Sequence, residues 1–390
     1  MSKRAASSTS SSLSEPSSEK RQAISGDNSV QIAALDGSKV SMPLVGFGTY
    51  KFKNGGAQRA VTDALIAGYR HIDTAFCYGG EKTEIEVGKA LKSSSCPVAR
   101  SEIFLTTKHW RAYHGYAEAT QCLDLSLKRL GVSYVDLYLM HWPGPAYHTM
   151  GRSKAVIEAS PLGAFVYARK GHERENMKAL RGETWRAMED ALKAGKCRAI
   201  GVSNFTVEHL QALKETASVW PPAVNQVELH PYRNQAELRR FCEEEGIAVQ
   251  AYASLGGQDA GKGSLEKLGG SLLSRPEVLE IVGRHSKAHG GGVTAAGVLL
   301  RWATQRGIAV LPKSSTTQRM AENLAAATGF PAAKERQVGG AEEETTSGQN
   351  TAEWKLTEKD LAALDALDQS GDDASRLCWA RDPLKLLGFE

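Results

Sequence analysis

From residue 41 onward the chain alternates between short apolar runs and longer stretches of helical periodicity, and this alternation is the feature that most limits its fold. Strands that are buried on both faces read as continuous apolar runs, which are typical of parallel sheets covered by helices. Eight runs have this character: LVGFGTY, HIDTA, IFLTTKHW, VDLYLMHW, CRAIGVSNF, AVNQVEL, IAVQAYASL and IAVLPKSS. Eight strand–helix units predict an α/β fold of the (β/α)8 TIM barrel type rather than an open sheet.

The segments between these strands support the same fold. Their apolar residues recur at helical spacing, as in AQRAVTDALIAGY and TAAGVLLRWATQRG. Several of them end at a glycine before the next strand, which is a common C-terminal cap of a helix. These glycines are Gly68, Gly131, Gly195, Gly246 and Gly307. Ahead of the first strand, SVQIAALDGSKVSMP predicts an N-terminal β-hairpin that closes the bottom of the barrel.

Length alone leaves the number of domains open. A chain of 390 residues would suit two or three average domains, but α/β barrels run long as one domain. We predict a single barrel domain over 27–390, preceded by a disordered serine-rich arm over 1–26. Two insertions extend the barrel: a long loop over 144–182 and a low-complexity, net acidic segment over 331–353.

The N-terminal arm and the cysteines bear on the compartment. The arm lacks the apolar core of a secretory signal, whereas its serines and basic residues leave an organelle transit peptide open as an alternative. Glu15 and Glu19 count against that alternative, because transit peptides avoid acids. The six cysteines form no Cys-x-x-Cys pair, so we expect free thiols in a reducing compartment and a cytoplasmic location.

The charge pattern bears on the partners. A net charge of +4, with basic and acidic residues intermixed, does not predict a nucleic-acid partner. No apolar run approaches the ~20 residues of a membrane helix, so no membrane partner is predicted. The loop 144–182 carries seven basic and three acidic residues; these either attract anionic substrates or, in the interpretation we favour, are simply solvated. We expect a monomer that acts on a small molecule.

Polar side chains occupy the carboxyl ends of the predicted strands, where the active sites of such barrels lie. Asp73 lies near the end of the second strand, Tyr78 follows five residues later, and Lys108 and His141 lie at the ends of the third and fourth strands. Each alone has an ordinary structural explanation, such as a helix cap or a solvated lysine. Four of them at one barrel mouth favour a catalytic group.

These four residue types suit the reduction of a carbonyl group. Hydride addition leaves an alkoxide that needs a proton, and a phenol with a pKa near ~10 releases its proton reluctantly near neutrality. A nearby ammonium would lower the pKa of Tyr78, and a carboxylate would hold the charge of a buried Lys108. An imidazole could orient the carbonyl oxygen. We therefore predict Asp73, Tyr78, Lys108 and His141 as the catalytic residues.

Three longer stretches of the chain resemble the aldo-keto reductases. They run from Gly68 to Tyr78, from Met188 to Phe205 and from Leu311 to Asn323, and MHWPG, AVNQVELHPY and VQAYASLGG agree as well. The resemblance covers 40–330 and resumes over 353–382. It implies a (β/α)8 barrel that binds a nicotinamide dinucleotide without a Rossmann domain, and the reduction of aldehydes or ketones to alcohols.

The resemblance also implies binding residues. The cofactor-binding positions are Gly48, Thr49, Tyr50, Asp73, Ser203, Asn204, Gln226, Tyr252, Leu255, Lys313, Ser314, Arg319, Glu322 and Asn323. The substrate-binding positions are Tyr50, Tyr78, Trp110, His141 and Trp142. In the first set, Ser203, Asn204 and Gln226 match partners of the nicotinamide carboxamide, and Tyr252 matches the ring that stacks on the nicotinamide. Lys313, Ser314 and Arg319 resemble positions that hold the adenosine 2′-phosphate, which implies NADPH rather than NADH.

Two departures from the family pattern are visible. About three extra residues separate Tyr78 from the family's acidic position, which Glu84 matches best. Ala253 and Ser254 replace the commoner Ser-Pro pair, which leaves the shape of that turn open.

Other motifs are incomplete, and two rival functions remain. The stretch 256–263 nearly spells a phosphate-binding P-loop, but Gly263 stands where Ser or Thr is required, and no G-x-G-x-x-G follows a predicted strand. His285 and His289 are four residues apart, yet HGGG there reads as a loop, so no metal is predicted. The rivals are a barrel that senses NADPH without turnover and a dehydrogenase that oxidises alcohols. The same residues would serve both directions, so the direction and the substrate remain open.

Overall fold

The barrel consists of eight parallel strands that lie side by side in the order of the sequence. The computed structural model describes residues 24–25, 28–35, 37–52, 55–144, 173–257, 262–289, 291–329, 354–371 and 375–378. The barrel strands are β4 (Phe47–Gly48), β5 (His71–Asp73), β6 (Phe104–His109), β7 (Val135–Met140), β8 (Cys197–Ser203), β9 (Val224–Glu228), β10 (Ala248–Tyr252) and β11 (Ala309–Val310). Each predicted strand contains one of them, so the predicted parallel sheet is confirmed.

The first and last strands of this sheet meet and close it. Val45, which precedes β4, pairs in parallel with Val310 of β11. The amide of Gly46 donates to the carbonyl of Val310 at 2.8 Å, and the amide of Gly48 donates to the carbonyl of Pro312 at 3.2 Å. The prediction of a (β/α)8 barrel is confirmed.

Helices connect the strands and cover the outside of the sheet. Their bounds are Gly56–Ile66, Lys82–Lys92, Tyr116–Leu130, Glu173–Lys193, Val207–Lys214, Ala236–Glu245, Lys262–Lys267, Pro276–Ala288, Ala295–Thr304, Thr317–Thr328 and Glu358–Asp365. Gly131 and Gly246 end their helices in the left-handed conformation, with φ of 63° and 73°. A residue without a Cβ adopts this conformation without steric cost, which explains these predicted caps. Within the described ranges, no helix has both the length and the apolar character needed to cross a membrane.

The helix that precedes β8 begins earlier than its apolar periodicity indicates. The periodic segment starts at Thr184, but the helix spans Glu173–Lys193. The last part of the loop expected over 144–182 is therefore helical. Charged residues dominate its first turns, and Met177 and Leu180 are the buried apolar side chains described there, so the periodic signal is weak. Residues 145–172 and 331–353 lie outside the described residues.

A second difference concerns His285, which we expected in a loop. It lies inside the helix Pro276–Ala288, and His289 follows that helix as its C-terminal cap. The ring of His285 is held by the carboxylate of Asp360, with Nε2 2.8 Å from Oδ2. The glycines after His289 suggested a loop because a C-terminal cap and a loop share the same local sequence.

The predicted N-terminal hairpin is confirmed and covers the amino ends of the barrel strands. Its strands β2 (Ser29–Ala33) and β3 (Lys39–Pro43) pair antiparallel. The carbonyl of Pro43 lies 3.2 Å from Nδ1 of His71, the first residue of β5. A further short strand, β1 (Ile24–Ser25), pairs with β2 inside the segment we assigned to the arm. Residues 1–23 lie outside the described residues.

Candidate active site

Neighbouring strands deliver three of the predicted catalytic residues to one end of the barrel. Asp73 is the last residue of β5, Lys108 is the penultimate residue of β6, and His141 directly follows β7. These strands pair in parallel, so their carboxyl ends share one edge of the sheet. All three side chains are buried. The structure thus brings the three together at the mouth of the barrel.

The ammonium of Lys108 connects the carboxylate of Asp73 with the phenol of Tyr78. Its Nζ donates to Oδ1 of Asp73 at 2.5 Å, to the carbonyl of Thr74 at 2.9 Å and to the hydroxyl of Tyr78 at 3.2 Å. An ammonium has three protons to donate, so all three are used. Because no part of the Lys108 side chain is exposed, its position between carboxylate and phenol is fixed by these bonds.

A tight turn places Tyr78 at this end of the barrel. The chain kinks within Tyr78–Glu81, where Gly79 and Gly80 both leave helical geometry with a φ of 60°. A Cβ at position 79 would lie 2.6 Å from Oγ1 of Thr83, so a larger residue there would collide as well as strain the backbone. The extra residues between Tyr78 and the helix Lys82–Lys92 lie in this turn.

Glu84 supports the site from outside it. Its Oε1 accepts a hydrogen bond from Oγ1 of Thr107 at 2.7 Å, and its Oε2 lies 3.4 Å from Nη1 of Arg129. Burial raises the pKa of the Glu84 carboxyl, and these two partners oppose that rise. Thr107 adjoins Lys108 on β6, so Glu84 holds the strand that carries the lysine.

The balance of forces on the phenol differs from our expectation. Burial, followed by the charge of Asp73, raises the pKa of Tyr78 well above its ordinary value. For Lys108 the direction is the opposite, because burial lowers its pKa. The charge of Asp73 and the hydrogen bond from Lys108 to Asp73 oppose that change. The pKa of Tyr78 is therefore raised by its surroundings, where we expected it to be lowered. Desolvation of the phenolate outweighs the nearby ammonium, and the phenol stays protonated at neutral pH.

The imidazole of His141 stands beside the phenol and is neutral. Its ring centroid lies 5.9 Å from that of Tyr78. Burial lowers the pKa of His141 well below its ordinary value, and the charges of Lys108 and Arg111 lower it further. The Nδ1 atom lies 3.7 Å from Sγ of Cys77. Sequence reasoning missed this contact, because Cys77 and His141 are 64 residues apart in the chain.

Aromatic rings surround the phenol and the imidazole. Tyr50 packs against Tyr78 with ring centroids 4.9 Å apart, and Trp110 lies 6.0 Å from His141. Trp110 and Trp142 are only 6% and 2% exposed. Among the described residues, these two predicted substrate contacts are not on the wall of the main cleft at this end of the barrel, and Trp142 instead lines a smaller cavity with Asn204 and Tyr252.

The predicted carboxamide partners form a connected group at the end of β8, in the middle of β9 and at the end of β10. The hydroxyl of Ser203 donates to the carbonyl of Gln226 at 2.8 Å, and Nδ2 of Asn204 donates to the carbonyl of His141 at 2.9 Å. The hydroxyl of Tyr252 donates to Oδ1 of Asn204 at 2.6 Å. Asn204 has a φ of 62°, which directs the chain away from β8 at this point. These bonds fix the amides beside the predicted catalytic residues.

Gln226 links this group to Asp73. Its Nε2 donates to Oδ2 of Asp73 at 2.9 Å and to Oε1 of Gln250 at 2.6 Å. Thr49 supports the same residue from the other side, because its Oγ1 donates to the carbonyl of Asp73 at 2.9 Å. Gln250 was missed by sequence reasoning, although an amide in the middle of the apolar run IAVQAYASL was a usable signal. Both oxygens of the Asp73 carboxylate are therefore occupied.

An elongated cleft of about 680 Å³ opens over these residues, within the range that binds small molecules and cofactors. Its inner end holds the side chains of Asp73, Tyr78 and His141, with Lys108 buried beneath them. Of the predicted cofactor positions, those on its wall are Gly48, Tyr50, Asp73, Asn204, Gln226, Tyr252, Leu255, Lys313, Ser314, Arg319, Glu322 and Asn323. Thr49 and Ser203 are buried just behind that wall.

The outer end of the cleft is formed by Lys313, Ser314 and Arg319. Lys313 and Arg319 are exposed, and Nζ of Lys313 lies 4.7 Å from the ring centroid of Phe52. Ser314 is buried, and its Oγ accepts a hydrogen bond from the amide of Thr316 at 3.1 Å. Two cations and a hydroxyl at the start of the helix Thr317–Thr328 suit a phosphate group. Phe52, which supports Lys313, was also missed.

The near-miss P-loop borders the same cleft. Ala253 follows β10 with a φ of 54°. Gly257 lines the cleft. Residues 258–261 of that stretch are not described. Within the described ranges, no group of three or more His, Cys, Asp or Glu side chains could hold a metal ion.

Comparison with known proteins identifies the family. The model of the aldo/keto reductase family matches residues 44–338. Glycerol 2-dehydrogenase (NADP(+)) of Saccharomyces cerevisiae is 39% identical over 301 residues, which cover 76% of this chain and 86% of that protein. A yeast aldehyde reductase is 37% identical over 285 residues, which cover 73% of this chain and 82% of that protein.

Solved structures agree with the fold. The crystal structure of a Bombyx mori aldo-keto reductase in complex with NADP matches with a TM-score of 0.63 at 26% identity, covering 87% of this chain and 93% of that one. The site and the barrel together are those of a carbonyl-reducing oxidoreductase. This chain belongs to the aldo/keto reductase family.

Proposed function

We propose that this protein reduces aldehydes, and also ketones, to alcohols with NADPH, and that Tyr78 donates the proton. The observation that carries this proposal is the position of Lys108, which is bonded to both Asp73 and Tyr78 beneath an open cleft. The names of the yeast relatives, an NADP-dependent glycerol dehydrogenase and an aldehyde reductase, agree with this chemistry.

The cofactor is NADP(H), and the shape and charge of the cleft fit it. The cleft runs from the amides of Asn204 and Gln226 at its inner end to the cations Lys313 and Arg319 at its outer end. Amides at one end suit a carboxamide, and cations at the other suit a phosphomonoester. Ser203 and Tyr252 would complete the inner contacts, and Glu322 and Asn323 the outer ones.

The residues of the inner end supply the acid chemistry. Bound NADPH supplies the hydride. The Tyr78 hydroxyl and the His141 ring face the same cleft, so both can donate to one carbonyl oxygen. As negative charge develops on that oxygen, the proton passes from the Tyr78 hydroxyl to it. The phenolate left behind lies next to the Lys108 ammonium, whose charge is held by Asp73.

The raised pKa of Tyr78 bears on the direction of the reaction. Reduction needs the protonated phenol, which burial favours, whereas alcohol oxidation needs the phenolate. We therefore expect the rate of reduction to stay level from pH 6 to 8. The rate of oxidation should rise about tenfold for each pH unit below the pKa, as long as proton removal limits it. Initial rates in both directions across pH test this; a level oxidation rate would contradict the assignment of the acid.

The decisive assay follows the loss of NADPH absorbance with a panel of aromatic, aliphatic and dicarbonyl aldehydes and with simple ketones. Binding of NADPH is measured separately, by quenching of tryptophan fluorescence. Turnover of at least one carbonyl compound supports the proposal. Folded protein that binds NADPH but turns over no member of the panel would instead favour a sensor that binds NADPH without reacting.

A further inference from the structure

A thiol contacts the imidazole of His141 at its Nδ1 atom. Sγ of Cys77 lies 3.7 Å from Nδ1 of His141, a distance that suits a hydrogen bond to sulfur. Cys77 immediately precedes Tyr78, so one turn of the chain supplies both the phenol and the thiol. Cys77 is partly buried. It packs against a small apolar group that includes Phe76 and Trp110.

The charge states of the Cys77 thiol and the His141 imidazole leave one question, which is the nitrogen of the ring that carries its proton. Burial raises the pKa of the Cys77 thiol, and the charge of Lys108 opposes this only in part, so the sulfur is protonated at neutral pH. The imidazole is neutral, as burial and the nearby cations require. A neutral imidazole has one N–H donor and one acceptor nitrogen. The contact is therefore either S–H to Nδ1 or Nδ1–H to sulfur.

The surroundings of the ring favour the first arrangement. Sulfur is a weak acceptor, whereas the unprotonated nitrogen of imidazole accepts hydrogen bonds well. No described residue is hydrogen-bonded to Nε2 of His141, and the ring borders the cleft. If Nδ1 carried the proton, the thiol would lose its acceptor and a bare nitrogen would face the carbonyl oxygen of the substrate. Two acceptors facing each other repel.

We infer that the Cys77 thiol donates to Nδ1 of His141 and thereby keeps the ring proton on Nε2, where it points at the carbonyl oxygen. Cys77 is thus a positioning residue, because it acts on the substrate only through the tautomer of His141. The role of this tautomer in the reaction rests on the proposed function. The tautomer itself can be observed without any turnover.

Nitrogen-15 NMR of histidine-labelled protein tests the tautomer directly. The chain has 10 histidines, and a His141→Gln variant identifies the signals of His141 by their loss. We expect a protonated Nε2 and a bare Nδ1 in the wild type. Removal of one hydrogen bond in Cys77→Ala should raise the Nδ1–H fraction by about two- to tenfold. A wild-type ring protonated on Nδ1, or an unchanged ratio in Cys77→Ala, would overturn the inference.

Two further variants separate the hydrogen bond from packing. Cys77→Ser keeps a donor and should retain the wild-type ratio. Cys122→Ala removes a fully buried thiol from the same apolar group but away from His141, so it should lower stability and leave the ratio unchanged. If Cys122→Ala shifts the ratio as much as Cys77→Ala does, the effect comes from packing and the inference fails.

Kinetics connects the tautomer to the reaction. We expect Cys77→Ala to lower kcat/KM for a small aldehyde by about two- to tenfold with no change in NADPH affinity, and Cys77→Ser to restore most of the loss. Wild-type protein that has the expected tautomer but turns over no carbonyl compound would refute the proposed function alone. Wild-type protein that turns over aldehydes with Nδ1 protonated would refute only the role of Cys77.

Discussion

The inner and outer ends of the cleft differ in how much of their charge is already satisfied by the protein. At the inner end, Lys108 and Asp73 are buried, and each is bonded to the other and to further groups. At the outer end, Lys313 and Arg319 are exposed on the surface. The inner charges are thus held by bonds within the protein, whereas the outer charges are exposed to solvent.

This difference assigns separate tasks to the two ends. Groups that are fixed in a dry site stabilise developing charge without reorganising, which favours catalysis. Exposed cations gain little from the fold and act through attraction to an anionic ligand, which favours affinity and selectivity. Substitutions at the inner end should therefore change the chemical step and the stability of the protein. Substitutions at the outer end should change which cofactor binds and how tightly.

The largest effect is expected for Tyr78→Phe at the inner end. Loss of the proton donor should lower kcat for aldehyde reduction by about 10²- to 10⁴-fold. NADPH affinity should change little, because the ring and its packing against Tyr50 remain. Steady-state rates and fluorescence titration measure the two quantities. A variant that keeps most of its rate would show that another group donates the proton.

Lys108→Met should combine a loss of rate with a loss of stability. It leaves the buried carboxylate of Asp73 without its cation, and breaking such a pair costs about 3–5 kcal/mol in the free energy of unfolding. The matched control is the double variant Asp73→Asn with Lys108→Met, which removes both charges. Denaturant unfolding should show that the double variant recovers part of the stability but none of the activity. Equal stability of wild type and Lys108→Met would mean that Asp73 and Lys108 do not form a buried ion pair.

Lys313→Met tests the outer end. Loss of a charged hydrogen bond to the 2′-phosphate should weaken NADPH binding by about ten- to hundredfold and leave NADH binding nearly unchanged. Lys51→Met is the control, because Lys51 lines the cleft next to Tyr50 and should affect both cofactors alike. Titration of both cofactors against both variants gives the comparison. Equal losses for NADPH and NADH in Lys313→Met would remove the argument for a phosphate site.

The smallest effect is expected from salt. Raising the ionic strength from 0.1 to 1 M shortens the screening length from ~10 to ~3 Å, which weakens exposed charges far more than buried ones. The KM for NADPH should rise several-fold more than the KM for NADH. The kcat at saturating cofactor should be nearly constant, because Asp73 and Lys108 are shielded from solvent. A kcat that falls with salt as steeply as the affinity for NADPH would contradict the proposed difference in exposure between the inner and outer charges.

Much of the fold and of the site could be predicted because barrel strands carry their information locally. A strand such as β7, buried along its whole length, is an apolar run whatever surrounds it. The rule that barrel chemistry lies at strand ends then placed Asp73, Lys108 and His141 together. The direction of the Tyr78 pKa could not be predicted in this way, because it depends on how completely the phenol is desolvated.

Contacts between distant segments were the other part that the sequence did not reveal. Gln226 bonds to Asp73 across 153 residues, and Cys77 meets His141 across 64. Neither pair leaves a local pattern. The early start of the helix at Glu173 was missed because charged residues dominate its first turns, where Met177 and Leu180 give only a weak periodic signal.

The closure of the barrel has a consequence for how ligand binding and folding depend on each other. The sheet closes between its two shortest strands, β4 and β11, each of two residues. The cleft lies across this join, since Gly48 lines it from one side and Leu311 and Pro312 from the other. A dinucleotide held there bridges the first and last strands, so its binding energy adds to the free energy needed to part them. The free energy of unfolding of the barrel should therefore rise with the concentration of the cofactor.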